Sequence, residues 1–483
     1  MSRYSAAFLL FIAYGMVLVA VAVWAARRTH NAMDFFLARR RLGPWLMALS
    51  HVANATPAWM LLVIAGAAFT WGRAALWIWI AVVAGYAVNV FFVAPRLRLL
   101  STGQRSTSFA QMLAAEAGDR FQPLVLRSAA LMVFILFIME IGAVLQLGGS
   151  LAGEFGFEPT TALVTVFIAI VAYTAVGGYW AASMTDAIQV GVLLVTLLFL
   201  PLLALVAAEG MGQLQTGFLS LGSAARDWFA GRSGVVAVAF AAGAMGLGLG
   251  LLGQPHALNR FMAAKDETVL HTARWIALAC IVMLAGFALI CGWCASVLYA
   301  GYDSPERVLF VLAERILPPW ASAMMTAALL CAMCSGISNR LLVMASSLSA
   351  DTWVATSPSS FTWARVVLVL LAIVALTYTL NSRNDFAEQT MLCFSALGAA
   401  FGPLLMVRLA GKRVRSGSTL GAMWAGFVLT VMFHALPDSP GDFLERVLPF
   451  VAALGIALSG GERRRNPDRA DRSEETVHDR VPI

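Results

Sequence analysis

Long apolar runs separated by short polar segments fill most of the chain. A helix needs about 20 apolar residues to cross the roughly 30 Å hydrocarbon core of a bilayer. Thirteen runs are long enough, at about 5–26, 43–71, 74–94, 124–153, 159–177, 184–208, 233–255, 272–300, 318–348, 363–381, 386–408, 418–436 and 443–460. The pattern therefore predicts an all-α polytopic membrane protein with about 13 transmembrane helices.

Two of these runs are interrupted at a depth where lipid would surround them. The second contains NATPA at 54–58, and the seventh contains GAMGLGLGLLGQP at 243–255. Hydrocarbon cannot solvate the carbonyls that a break frees, so breaks at this depth line a cavity or lie inside protein. The two runs cross in opposite directions, which is typical of secondary transporters with inverted repeats. We expect unwinding near 54–58 and 246–253, with glycine-mediated helix packing as the alternative for the seventh run.

Basic residues fall unevenly on the two sides of the predicted membrane. Larger groups follow the first, third, seventh and eleventh runs, namely Arg27, Arg28, Arg39–Arg41, Arg96, Arg98, Arg105, Arg260, Lys265, Lys412, Arg413 and Arg415. Loops on the cytoplasmic side carry the excess of arginine and lysine. The N-terminus is therefore predicted outside and the C-terminus inside, in a multi-pass protein of the cell (inner) membrane.

Composition supports this class and excludes several functions. The chain is 60% apolar and only 12% charged, whereas soluble domains carry roughly 25% charged residues. Its net charge of +7 is spread over short loops, so nucleic-acid binding is not indicated. No catalytic triad, HExxH pair or nucleotide loop indicates an enzyme, and the two CxxC pairs at 291–294 and 331–334 are interpreted as helix-packing residues. The expected partners are the lipid bilayer and a small-molecule solute, with no obligate protein partner evident.

One stretch resembles a known family. YTAVGGYWAASMTDAIQ at 173–189 resembles the signature of the sodium:solute symporter family. Three further stretches agree with that family in order and spacing, FFLARRRLGPWLMALS (35–50), GQPHALNRFMAAKD (253–266) and GAAFGPLLM (398–406). Together they are most similar to its sodium/proline symporter branch.

The resemblance implies a leucine-transporter-type fold in a single transmembrane domain, 1–460. Inverted five-helix repeats would span approximately 43–208 and 233–408, with peripheral helices at 5–26, 418–436 and 443–460 and a disordered cytoplasmic tail at 461–483. The implied function is secondary active symport of a small organic solute, such as an amino acid or carboxylate, by alternating access. The alternatives are a solute sensor with a transporter fold and a proton-coupled or uncoupled carrier.

The resemblance also implies a principal sodium site. Its ligands would be the carbonyls of Ala53, Thr56 and Ala332, the hydroxyl of Ser335, and the residue at 336. That residue is Gly336, which has no hydroxyl. Ala55 stands where the proline-symporter relatives carry an aspartate. One ligand and one negative charge are missing, so we expect sodium coupling to be weakened or altered, with H+ as the alternative coupling ion to Na+.

A second ion position would involve the signature aspartate, Asp186. Ser335, Ser338 and Asn339 are spaced i, i+3, i+4 on one helical face and are the candidate partners. Arg340 follows them directly. Its guanidinium either reaches the cytoplasmic surface or pairs with Asp186 in place of a cation.

The candidate solute site draws on both interrupted runs and on the fourth. It consists of Asn54, Pro57, Ala58, Trp59, Glu140, Leu247, Leu251, Gln254 and Pro255. Proline symporters carry aromatic residues where Leu247 and Leu251 stand, so a more aliphatic cavity is expected. Glu140 is the only acid deep in the fourth run, and it could bind an amine, carry a proton or be neutralised by a neighbouring helix. His51 could titrate near the break, whereas His256 is expected to make a structural hydrogen bond.

Overall fold

The computed structural model describes residues 3–55, 58–104, 106, 108–115, 118–154, 156–210, 212, 214, 218, 223–349, 360–382, 385–437 and 439–463. Its helices are α1 Arg3–Ala26, α2 Ala32–Leu37, α3 Pro44–Ala55, α4 Ala58–Trp71, α5 Leu76–Val88, α6 Ala94–Gly103, α7 Phe109–Ala114, α8 Gly118–Glu154, α9 Pro159–Ala207, α10 Ser223–Arg226, α11 Gly234–Gly250, α12 Pro255–Met262, α13 Glu267–Leu298, α14 Val308–Ile316, α15 Pro319–Ser349, α16 Ser360–Asn381, α17 Phe386–Leu409, α18 Ser416–His434, α19 Phe443–Arg446 and α20 Leu448–Ser459. Two short strands are β1 Lys412–Val414 and β2 Gly461–Arg463.

The helices have the length and composition of membrane spans. Within the described ranges, nine helical segments are long and apolar enough to cross a bilayer. Two of these, Ala58–Gly103 and Pro159–Ala207, contain 46 and 49 residues. At 1.5 Å per residue, 49 residues of straight helix would extend about 70 Å, more than twice the hydrocarbon core, so each segment must turn.

Glycines make both turns. Gly72 lies between α4 and α5 with φ of +58°, and Gly178 interrupts α9 with φ of 57° and ψ of −145°. A Cβ at Gly178 would lie 2.6 Å from the ring of Phe35. Glycine is the residue that tolerates this backbone conformation at low cost. The predicted division between the fifth and sixth runs therefore falls at a sharp kink at Gly178, where two helical stretches of α9 meet.

The predicted first break, at Thr56 and Pro57, lies outside the described residues and stays a prediction. α3 is described through Ala55 and α4 from Ala58, on either side of it.

The second break lies later than predicted. α11 remains helical through Gly250, a 3-10 turn covers Leu251–Gly253, and Gln254 is extended with φ of −85° and ψ of 102°. The prediction of unwinding at 246–250 is therefore wrong. Pro255 lacks an N–H and begins the next helix, so the interruption falls just before it.

The glycines of α11 serve close packing instead. A Cβ at Gly248 would lie 2.4 Å from the carbonyl oxygen of Ala81 on α5, and one at Gly250 would lie 2.4 Å from the ring of Phe394 on α17. The alternative interpretation of this run, a glycine packing face, describes residues 243–250 correctly.

The start of the predicted disordered tail is also ordered. β2 pairs antiparallel with β1, with Lys412 opposite Arg463. Arg415 Nε lies 2.6 Å from Glu462 Oε1. Because α18 and α20 pack together, the segments next to their ends meet and pair. The prediction of disorder is wrong for 461–463, while 464–483 lie outside the described residues.

The two broken helices occupy the centre of the bundle. α3 packs against α9, α12 and α13, and α11 packs against α5 and α17. α8 and α15 contact each other, and each also contacts α9. Polar side chains of the apolar runs are thereby brought together around the breaks.

We expect Gly248→Ala to lower the thermal unfolding midpoint of the purified protein, because the new Cβ would meet a backbone carbonyl that cannot move aside. Overpacking of this kind costs about 1–3 kcal/mol. Gly455→Ala on α20 is the matched control, since nothing lies within 4 Å of its added Cβ. Equal midpoints for the two variants would contradict the close-packing role.

Candidate solute and ion site

Asp186 is the centre of a buried polar cluster, which we call the aspartate cluster. Ser50 Oγ donates to Asp186 Oδ2 at 2.6 Å, and Asn54 Nδ2 donates to the same oxygen at 2.8 Å. Arg260 Nη2 lies 3.0 Å from it. Asn339 Nδ2 donates to Oδ1 at 3.0 Å. α3, α12 and α15 thus all bind to one carboxylate on α9.

The acceptor capacity of this carboxylate is filled. Ser335 also donates to Asp186 Oδ1, so five side chains bind two oxygens that offer about four lone pairs. Ser338, predicted to face Asp186, instead donates to the Ser335 carbonyl at 2.8 Å. That part of the prediction is wrong because the hydroxyl bonds back along its own helix.

Arg260 is the residue that sequence reasoning missed. The distribution of basic residues places it in a cytoplasmic loop, but its side chain is 0% exposed and pairs with Asp186. Its Nη1 donates to Ser183 Oγ at 2.5 Å, and its guanidinium lies over the Tyr179 ring at 4.2 Å. The sequence feature that could have shown its burial is its position in the short helix PHALNRFM, directly after the second break.

Arg340 neither reaches the cytoplasmic surface nor pairs with Asp186, the two alternatives predicted for it. It is 2% exposed, so it does not reach the surface, and Asp186 is paired with Arg260 instead. Arg340 Nη2 forms an ion pair with Glu140 Oε1. The reason is helix adjacency, because α15 packs against α8 and places the two side chains together.

Trp59 completes this second group, which we call the glutamate cluster. Its Nε1 donates to Glu140 Oε1 at 3.2 Å. Trp59 lies in the first turn of α4, directly after the first break, and its ring meets Phe394 edge-on at 5.6 Å. Of the interpretations left open for Glu140, neutralisation by a neighbouring helix describes its contacts.

Side chains also bind the backbone freed at the two breaks. His256 Nε2 donates to the Asn54 carbonyl at 3.0 Å, the structural hydrogen bond predicted for it. Gln254 Nε2 donates to the carbonyls of Gly250 and Phe394 at 2.8 and 2.9 Å. Asn89 Nδ2 donates to the Leu251 carbonyl at 2.9 Å. The carbonyls of Asn54, Gly250 and Leu251 are therefore hydrogen-bonded within the protein, as their depth requires.

Several buried polar atoms at the breaks have no hydrogen-bond partner within the described residues. They are His51 Nε2, Asn54 Oδ1, His256 Nδ1 and Asn259 Oδ1. A cavity of about 10 Å³ lies against His256, Asn259 and Arg260, which is close to the size of one water molecule. Unpartnered buried polar groups are costly, so a ligand or water is expected to contact these atoms.

The described candidate ligands of the principal sodium site lie on α3 and α15, and two of their side-chain positions carry no free oxygen for a cation. Ala53 lies in the last turn of α3, Ala332 is buried on α15, and Thr56 lies outside the described residues. The Ser335 hydroxyl donates to Asp186. Gly336 supplies no side-chain oxygen, and the guanidinium of Arg340 lies against it.

The remaining candidate solute residues line the breaks as buried apolar groups. Ala58, Trp59, Leu247 and Leu251 are at most 3% exposed, and Pro255 is buried. Leu247 lies within α11, and Leu251 lies in the 3-10 turn of the second break. Their assignment to one solute site stays a prediction.

Comparison with known proteins agrees with this architecture. The model of the sodium:solute symporter family matches residues 35–428. The sodium/proline symporter of Escherichia coli (strain K12) is 28% identical over 436 residues, covering 87% of this chain and 86% of that protein. The high-affinity proline transporter PutP of Bacillus subtilis (strain 168) is 29% identical over 453 residues, covering 91% and 94%.

Solved structures show the same fold. A Na+-coupled sialic acid symporter in a substrate-bound outward-open state superposes with a TM-score of 0.80 at 17% identity, covering 95% of this chain and 99% of that one. MhsT in complex with L-phenylalanine gives a TM-score of 0.55 at 17% identity, covering 87% and 99%. The predicted leucine-transporter-type fold is confirmed. This chain belongs to the sodium:solute symporter family and is a multi-pass membrane transporter, not an enzyme.

Proposed function

We propose that the protein is a secondary active symporter of the inner membrane that carries a small amino acid or related carboxylate by alternating access. The observation that carries the proposal is the meeting of the described break at 251–254 with two buried ion pairs at the centre of the bundle, next to the predicted break at 56–57. Breaks at this depth present backbone dipoles to a solute, and helix segments on either side can move separately.

The unpartnered polar atoms support a polar solute. His51 Nε2 and Asn54 Oδ1 lie at the first break and His256 Nδ1 at the second, all buried. Each imidazole donates from its other nitrogen to a carbonyl, so in the neutral rings these nitrogens are acceptors, as is the amide oxygen, and such a set suits a hydrogen-bond donor such as the amine of an amino acid. The solute would contact the segments 54–59 and 247–255.

The apolar side of the site supports an aliphatic solute rather than proline itself. Leu247 and Leu251 are 1% and 0% exposed. Both stand where the resemblance places aromatic side chains in proline symporters. Leucines offer no aromatic face against which a pyrrolidine ring could pack, and their branched side chains suit contact with an open-chain aliphatic group.

Sodium coupling is proposed to be weaker than in the relatives, with protons as the alternative driving ion. Asp186 accepts from five side chains, including Arg260, and Gly336 offers no oxygen. A hard cation would have to displace these donors before it could bind.

Uptake into proteoliposomes tests the function and its coupling. We expect uptake of small aliphatic amino acids or their carboxylate analogues to depend weakly on an imposed sodium gradient and more strongly on a proton gradient. A sodium dependence of tenfold or more, about 1.4 kcal/mol, that persists in Asp186→Asn would contradict the ion assignment. Binding without uptake under either gradient would favour the sensor instead.

Solute preference should shift in Leu251→Ala. Shortening this buried side chain enlarges the proposed cavity, so solutes one or two methylenes larger should gain roughly 10-fold or more in relative uptake. Leu252→Ala is the matched control, because Leu252 is also buried but faces Gly402. Leu252→Ala should lower the stability of the protein without changing its solute preference. An equal change of solute preference in both variants would show that the solute does not bind against Leu251.

A further inference from the structure

The centre of the bundle contains two carboxylates, and each already has its own cation. Among the described residues, Glu140 and Asp186 are 2% and 0% exposed. Arg340 pairs with the first and Arg260 with the second. Two negative and two positive charges sum to zero, so this region of the core is electroneutral without an added ion.

The space that Arg340 occupies is made by a glycine. An added Cβ at Gly336 would lie 2.6 Å from Arg340 Nη1, closer than real Cβ contacts. The guanidinium therefore fills the space into which any other residue at 336 would project its side chain. That is the space in which the resemblance places a side-chain ligand for sodium.

The glutamate cluster connects three elements. Arg340 and Gly336 belong to α15, Glu140 to α8, and Trp59 to α4 just after the first break. Trp59 and Arg340 share the same oxygen of Glu140. The charge state of this cluster is thus linked directly to the position of a broken helix.

We propose that Arg340 is a tethered cation that takes the place of Na+ beside the first break. Its guanidinium balances Glu140 permanently, and Gly336 supplies the space for it. Bound sodium is then not needed to compensate the buried carboxylate. This inference rests on the proposed function, because it names the residue that sets the ion requirement of the proposed solute and ion site.

The physical reason is the cost of an unbalanced buried charge. A carboxylate left in a low-dielectric interior must recover a counter-charge or change its protonation state. A free ion has to be drawn from water in each cycle, whereas a tethered guanidinium is already in place. Substituting Arg340 while keeping Glu140 should therefore make binding of a free cation favourable again.

The test compares thermal unfolding midpoints of the purified full chain in sodium chloride and choline chloride at equal ionic strength. The unmodified protein should have the same midpoint in both salts. Arg340→Gln should be less stable in choline and recover by at least about 3 °C in sodium, because sodium can then bind near Glu140. Arg340→Lys, which keeps the positive charge, should show no such difference.

The neutral double variant Glu140→Gln with Arg340→Gln is the matched control. It removes both charges, so sodium should not stabilise it over choline. Specific sodium stabilisation of the unmodified protein as large as that of Arg340→Gln would overturn the proposal. Equal midpoints of a folded Arg340→Gln in the two salts would overturn it as well.

Gly336→Ala keeps the proposal testable if Arg340→Gln does not fold. The added methyl displaces the guanidinium but leaves both charges in the chain. We expect a lower midpoint than for Gly148→Ala on α8, where nothing lies within 4 Å of the added Cβ, and partial recovery in sodium. Equal behaviour of the two glycine variants would show that the guanidinium does not occupy this space.

These measurements separate the inference from the proposed function. Midpoints in the two salts report on the counter-charge without any solute or transport. If they follow the expected order while no solute is taken up into proteoliposomes, the tethered cation stands and the symporter proposal fails. If solute is taken up while sodium specifically stabilises the unmodified protein, the symporter proposal stands and the tethered cation is rejected.

Discussion

Every charge removed from water must be balanced inside the protein, and this constraint organises the centre of the bundle. Asp186 on α9 binds side chains of α3, α12 and α15 simultaneously. Glu140 joins α8 to α15 and to α4. Because a buried carboxylate with a missing partner is strongly unfavourable, these contacts fix how the central helices lie relative to one another. The two ion pairs therefore hold the central helices together.

The same demand for satisfied polar groups shapes the helix breaks. Each break frees carbonyls that lipid cannot solvate. Side chains bind several of them: His256 binds the Asn54 carbonyl, Asn89 binds the Leu251 carbonyl, and Gln254, within the second break, binds back to Gly250. The broken helices are consequently tied to each other and to α5 and α17 through single hydrogen bonds, which are individually modest in energy. Such bonds can be exchanged for contacts with a solute without unfolding the bundle.

Sequence reasoning succeeds where the relevant physics is local and fails where it is not. Pro255 marks the second break, because proline lacks an N–H and is favoured at the first position of a helix, whereas Pro201 and Pro403 lie inside α9 and α17 without interrupting them. The glycines of α11 led to a wrong prediction of unwinding. In the sequence, a glycine that unwinds a helix looks the same as one that permits close helix packing, as Gly248 does against Ala81. The polarity of residues 461–463 predicts disorder, yet they pair with 412–414 because two helix ends are neighbours.

The sequence by itself determined that the chain crosses a membrane many times, that one span is interrupted just before Pro255, and which few charges lie within apolar runs. It did so because hydropathy and backbone stereochemistry act over one or two helical turns. Only the tertiary structure decided which charges meet. Arg260 pairs with a carboxylate 74 residues away and Arg340 with one 200 residues away. Helical periodicity shows which face of its own helix a side chain occupies, but its partner is set by which helices are adjacent.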